Sequence, residues 1–227
     1  MSGLFVTFEG GEGSGKTTQL TLLARRLRAS GQEVIETHDP GGTAIGKEIR
    51  TLLLDPRSAP ITAAAELLLY EASRAQLARE VIAPALARGA IVLCDRFTDS
   101  TLAYQGYGRD IDLALIRRLN QFATDGLSPD LTILFDLDPE IGLARRGRDV
   151  RYDVARAPDT GSAWDRIEAE PLDFHRRVRE GYLTLAGEEP DRITVIDAGA
   201  DATEIEAIVW NRLVCLRSVQ RCRLMTL

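Results

Sequence analysis

Cysteine, histidine and aromatic residues are scarce in this chain, and each scarcity closes a class of explanation. Its 227 residues hold 3 cysteines, 2 histidines and 6% aromatics. Cys94, Cys215 and Cys222 form no C-x-x-C pair, and their number is odd. That argues against a disulfide scaffold and for free thiols in a reducing compartment. His38 and His175 lie far apart, with no cysteine at ligand spacing, so a transition-metal centre is not expected. No apolar run reaches the roughly 18 residues that a membrane span needs, and Glu9 and Glu12 interrupt any leader-like start. The expected location is the cytoplasm. The net charge of −6 disfavours a general nucleic-acid binder. The chain also lacks internal repeats, low-complexity tracts and long linkers.

What is present is an ordinary globular balance, 44% hydrophobic and 27% charged. The length suits one large domain with a substantial core. Apolar runs ending in acids or glycines alternate with helical patterns. Strands are predicted at 4–9, 33–37, 90–94, 131–135 and 193–196. Continuous apolar runs such as Ala90-Ile91-Val92-Leu93-Cys94 suit strands buried on both faces of a parallel sheet. Helices are predicted after each strand, including a long one over 62–88 broken near Pro84, a polar one over 164–186 and a last one over 202–216. The pattern predicts an α/β fold: a doubly wound parallel sheet of about five strands with helices on both faces. We read residues 1–216 as one domain and 217–227 as a tail.

Residues 10–17, Gly-Gly-Glu-Gly-Ser-Gly-Lys-Thr, match G-x-x-x-x-G-K-[ST]. The strand Leu4–Glu9 enters the motif, and a helical pattern with Leu20, Leu23, Ala24 and Leu27 on one face leaves it. Such a loop turns backbone N–H groups toward phosphate oxygens at a helix N-terminus. Gly10, Gly11, Glu12, Gly13, Ser14, Gly15, Lys16, Thr17 and Thr18 are therefore the expected ATP site. Lys16 reaches the β/γ-phosphates and Thr17 holds Mg²⁺.

Ligands of open α/β sheets bind beyond the carboxyl ends of the strands. Asp95, closing the third strand, is the expected second Mg²⁺ ligand. Arg96 follows it and supplies a cation where two sets of phosphate oxygens must meet. The loop offers no basic residue at its variable positions. Arg145, Arg146, Arg148, Arg151 and Arg156 cluster instead in a segment, about 145–163, that reads as a lid over ATP. Arg148 and Arg151 are the candidate catalytic cations there, beside Lys16 and Arg96.

Six segments occur in order: Phe8-Glu9-Gly10 into the loop with Gln19 beyond it, Pro40-Gly41-Gly42-Thr43, Ala72-Ser73-Arg74-Ala75-Gln76, Asp95-Arg96-Phe97, Ser100 to Gly106, and Asp165-Arg166-Ile167-Glu168. Together they resemble the thymidylate kinase family. The resemblance covers nearly all of residues 4–210. It implies transfer of the γ-phosphoryl of ATP to dTMP, in dTTP biosynthesis, by a P-loop kinase that is generally a homodimer. It further implies a dTMP site of Glu12, Asp39, Arg50, Tyr70, Arg74, Arg96, Thr101, Tyr104 and Gln105. In that site Glu12 takes the sugar 3′-OH, Tyr70 stacks on thymine, Arg74 bonds a base carbonyl, Arg50 holds the acceptor phosphate and Tyr104 crowds the 2′ carbon. His38 and Asp39 stand where the family usually has arginine and glutamate. An apolar helix face along Leu113 to Phe122 is a candidate dimer surface. The rival expectations are a kinase for another nucleoside monophosphate or a nucleoside, and an ATPase switch protein.

Overall fold

The computed structural model describes residues 3–58, 60–152 and 164–224, with the side chains of 148–152 and 217–224 left aside. Five parallel strands form one sheet in the order β2-β3-β1-β4-β5. They are β1 (Leu4–Gly10), β2 (Val34–His38), β3 (Ile91–Asp95), β4 (Leu131–Asp136) and β5 (Ile193–Asp197). The register pairs Phe8 of β1 with Asp95 on one side and with Ile133 on the other. All five carboxyl ends therefore open on one edge. The five-strand doubly wound expectation holds.

The period of two in the strands sorts their side chains between two helix layers. Leu4, Val6 and Phe8 point with Leu93 and Ile133 toward α1 (Lys16–Ala29) and α9 (Ala202–Leu224), against Leu23, Leu27, Val209 and Leu213. Phe5 and Val92 face the other way, toward Leu77 of α3 (Ala63–Leu77) and Ala85 of α4 (Ala83–Ala87). Leu134 and Ile193 share that side with Ile116 of α6 (Leu113–Thr124) and with Phe174, Val178 and Tyr182 of α8 (Leu172–Glu188). Polar capping starts two of the site helices. Thr43 accepts from Gly46 N at α2 (Ala44–Leu54), and Asp112 from Ala114 N at α6.

Three helices differ from the sequence expectation, each for a local reason. The 62–88 helix is interrupted by a π-helical turn at Ala78–Ile82, where Ala83 N–H reaches back five residues to Ala78 O. The break falls just before Pro84, which has no N–H of its own to continue the ladder. The helix predicted at 164–186 begins only at Leu172, after Pro171. Before it, the Asp165 carboxylate takes the N–H groups of Ile167 and Glu168 and closes a tight turn. Nor is that helix simply polar, since Phe174, Val178, Tyr182 and Leu185 are buried. Finally, α9 continues to Leu224, past the expected end at Leu216.

Candidate active site

The phosphate loop is built by its backbone. Gly13 and Gly15 adopt φ of +65° and +85°, conformations that cost a side-chain-bearing residue energy. Gly13 also abuts Gly142 of α7 (Pro139–Tyr152). A Cβ on Gly13 would stand 2.2 Å from the Gly142 carbonyl oxygen. Lys16 folds over the loop and donates to Gly10 O at 3.1 Å, Gly11 O at 2.7 Å and Ser14 Oγ at 3.3 Å. Burial, with the nearby Arg96 cation, lowers its ammonium pKa to about 8. A phosphate arriving there exchanges those carbonyls for charged oxygens. Thr17 Oγ1 donates to Asp95 Oδ2 at 2.7 Å, in an exposed position at the end of β3. A hydroxyl beside a carboxylate is a hard-oxygen pair that fits Mg²⁺, which takes few protein ligands and keeps waters or phosphates for the rest.

Against this loop lies a cavity that opens to solvent. Its lining includes all nine side chains expected at a dTMP site: Glu12, Asp39, Arg50, Tyr70, Arg74, Arg96, Thr101, Tyr104 and Gln105. They come from the phosphate loop, the loop after β2, α2, α3, the loop after β3, α5 (Thr98–Thr101) and the π-helical turn Leu102–Gly108. Wide π turns recur at functional sites because they re-aim side chains within a helix. Here the turn carries Tyr104 and Gln105.

Two of the three arginines of this cavity, Arg74 and Arg96, are paired with acids. Arg74 is 1% exposed. Its Nε donates to Asp39 at 2.7 Å, Nη1 to Glu71 and Asn120 at 2.9 and 2.6 Å, and Nη2 to Phe97 O at 3.2 Å. Four of its five N–H groups are thus committed, and one on Nη2 is left over while Arg74 lines the cavity. The shorter Asp39 still reaches this arginine directly. Arg50 donates to Pro40 O at 3.0 Å, and its stem lies beside His38 around Gly41. Arg96 Nη2 donates to Glu12 Oε1 at 2.6 Å, and its guanidinium stands 4.9 Å from the Tyr104 ring centre. Tyr104 OH donates to the same Glu12 oxygen at 2.9 Å. Burial pushes the Glu12 carboxyl up, but Arg96, Lys16 and the Tyr104 hydroxyl outweigh it and hold its pKa at about 2. Glu12 is therefore an ionised acceptor at neutral pH. The Thr101 hydroxyl is buried and has no protein partner, as expected of a group that meets a ligand.

Sequence reasoning did not assign Pro40, Leu54, Ser100, Asp165 and Ile167 to the site, yet they line the cavity. Asp165 was visible only as part of a family segment. Burial, with Glu168 close by, raises its pKa to about 6. In the segment expected to form a lid, Arg145 donates to Ala198 O at 3.1 Å and Arg146 to Glu168 at 2.6 Å. The side chains of Arg148, Arg151 and Arg156 lie outside the described residues.

The thymidylate kinase profile matches residues 8–209. The chain belongs to the thymidylate kinase family. It is 54% identical over 210 residues to a thymidylate kinase of Gloeobacter violaceus, covering 91% of this chain and 94% of that one. It is 51% identical over 211 residues to one of Deinococcus radiodurans, covering 92% and 95%. A crystal structure of thymidylate kinase from Ehrlichia chaffeensis superposes with a TM-score of 0.73 at 34% identity, covering 94% of this chain and 99% of that one. Members of this family fix the expected architecture, and the P-loop, Asp95-Arg96 and the cavity fall within the matched residues.

Proposed function

We propose that this chain transfers the γ-phosphoryl of ATP to the 5′-phosphate of dTMP, giving dTDP and ADP. The observation that carries this reading is Glu12. It is a residue of the phosphate loop and also a wall of the cavity, which supports a site in which donor and acceptor share one floor. Lys16 and the loop N–H groups grip the donor phosphates. Thr17 and Asp95 would hold Mg²⁺, which neutralises charge on the β- and γ-phosphate oxygens when bound. Arg50 binds the acceptor phosphate, the free Arg74 N–H and Thr101 meet the base, and Tyr70 stacks on it. Glu12 accepts the sugar hydroxyl. Arg96, at the junction of loop and cavity, screens the oxygens as they approach in line. No covalent intermediate is required, and Arg148 and Arg151 remain the proposed further cations for the transfer.

The test is to follow ADP and nucleotide products with ATP and Mg²⁺, with no acceptor and with a panel of monophosphates. ADP that forms only with dTMP, in step with dTDP, supports the reading. ATP hydrolysis indifferent to dTMP, or a preference for another acceptor, overturns it. We further propose that the enzyme works as a cytoplasmic homodimer. On α6, Ile116 and Ala123 are core, while Phe122 is 87% exposed and Leu115 39%. With Leu68 of α3 at 58%, they leave an apolar surface on two packed helices. Sedimentation of the wild type and Phe122→Glu checks this.

A further inference from the structure

Glu9 is a buried carboxylate that the chemistry above does not use. It ends the apolar part of β1, is 0% exposed, and does not itself line the cavity. Among the described ion pairs none includes it. Its oxygens are nonetheless fully engaged. Oε1 accepts from Phe97 N at 2.7 Å. Oε2 accepts from Ser100 Oγ at 2.6 Å and from Tyr182 OH at 2.8 Å.

These three partners surround Arg96. Arg96 stands at φ +70°, a left-handed conformation in a residue with a side chain. Such a turn costs about 1–2 kcal/mol and persists only where its surroundings over-determine it. Two consecutive N–H groups do so here: Arg96 N bonds Phe8 O at 3.0 Å, and Phe97 N bonds Glu9. The side chain is governed by the same carboxylate at one remove. Arg96 Nη1 donates to Tyr182 OH at 3.2 Å and lies 3.4 Å from Ser100 Oγ. Ser100 Oγ and Tyr182 OH also lie 2.8 Å apart, so Glu9 and the two hydroxyls form one triangle whose two protons leave oxygen lone pairs for the guanidinium.

We propose that Glu9 is the positioning residue for Arg96, fixing its backbone through Phe97 N–H and its guanidinium through the hydroxyls of Ser100 and Tyr182. A purely structural role explains the site poorly. Burial, reinforced by the Asp99 carboxylate, raises the Glu9 pKa to about 7. Burying a carboxylate with no direct ion pair is costly, and what it holds in return is the set of groups around Arg96. The cost makes sense if the group's work is to aim a cation.

The proposal rests on Arg96 acting in the transfer, so the experiment separates the two ideas. The full chain is assayed for kcat and for KM of ATP and dTMP as wild type, Glu9→Gln, Arg96→Ala and the double variant. The glutamine oxygen still accepts Phe97 N–H, but its amide must donate toward the hydroxyls, which lose their acceptor at residue 9 and must re-orient around Arg96. Glu9→Gln is expected to lower kcat about tenfold or more with KM for ATP within about threefold. In the Arg96→Ala background the same change is expected to matter less than about twofold, because the group it aims is gone. A Glu9→Gln enzyme with wild-type kcat, or effects of the two changes that simply multiply, overturns the proposal. Near-normal turnover in Arg96→Ala instead removes the role given to Arg96. If Glu9→Gln does not fold, Tyr182→Phe decides. It keeps the ring in the core and deletes one relay hydroxyl, and it is expected to lower kcat about threefold with the same loss of effect beside Arg96→Ala. Multiplying effects there overturn the proposal equally.

Discussion

The two halves of the site are held by different means. The donor half is one continuous loop whose shape comes from glycine backbones. Its single cation, Lys16, rests on neutral carbonyls and a hydroxyl. The proposed acceptor half is a cavity of side chains drawn from most of the sequence between residues 12 and 167, and two of its arginines, Arg74 and Arg96, are already matched to Asp39, Glu71 and Glu12. Changes in the donor half should therefore be paid in rate with the fold intact. Changes deep in the acceptor half should be paid in stability as well.

The largest expected effect tests that contrast directly. Arg74→Ala strands the buried Asp39 and Glu71 carboxylates, and loss of one partner of a buried pair costs about 3–5 kcal/mol. Urea unfolding should show it. A variant as stable as wild type would mean that the cavity is not held by its internal charges. Lys16→Ala is expected to lower kcat by about 10²-fold, equivalent to about 2.7 kcal/mol, with an unchanged unfolding midpoint. A shifted midpoint would erase the distinction between the halves.

The third test compares two carboxylates three residues apart. Glu9 is raised to about 7 from the usual 4.5. Between those values the folded state binds its proton more tightly than the unfolded chain, so wild-type stability falls as pH rises through that window. Wild type should lose ground to Glu9→Gln between pH 5 and 8, by on the order of 1–3 kcal/mol. Glu12 is depressed to about 2, so its contribution is present above 4.5 and is lost as pH falls toward 2. Wild type should gain on Glu12→Gln as pH rises from 3 to 5. Equal pH dependence in the two comparisons would show that the environments do not differ as described. The smallest effect concerns the sugar. Tyr104 is 6% exposed and lines the cavity. Tyr104→Val should improve the use of ribo- relative to deoxyribonucleotide by about tenfold, near 1.4 kcal/mol. An unmoved ratio of kcat/KM values removes the steric role.

The same division governs what the sequence disclosed. The phosphate loop was legible because all its parts are local: a strand, eight motif residues and a helix face. The parallel sheet followed from apolar runs that end in Asp95 and Asp136. The acceptor residues carried no local signal of their own. Tyr70 sits in a leucine run and Arg74 on an ordinary helix pattern, and only the family resemblance grouped them. The misplaced start of α8 has a short-range cause, Pro171 and the turn capped by Asp165, which the polar periodicity of 164–171 concealed. The π turns that carry Tyr104 and precede Pro84 left no mark in helical periodicity, since each adds one residue to a turn without changing its composition. Glu9 could be seen as an acid inside an apolar strand, but its partners are 88 to 173 residues away.

The contact between Gly13 and Gly142 sets a boundary for exchanging parts between relatives. A Cβ on Gly142 would stand 2.2 Å from the Glu12 carbonyl oxygen, so the root of α7 and the phosphate loop fit as a matched pair. A junction placed before residue 142 would separate the members of that pair, and Glu12, a residue of the loop and a wall of the cavity, would move with the mismatch.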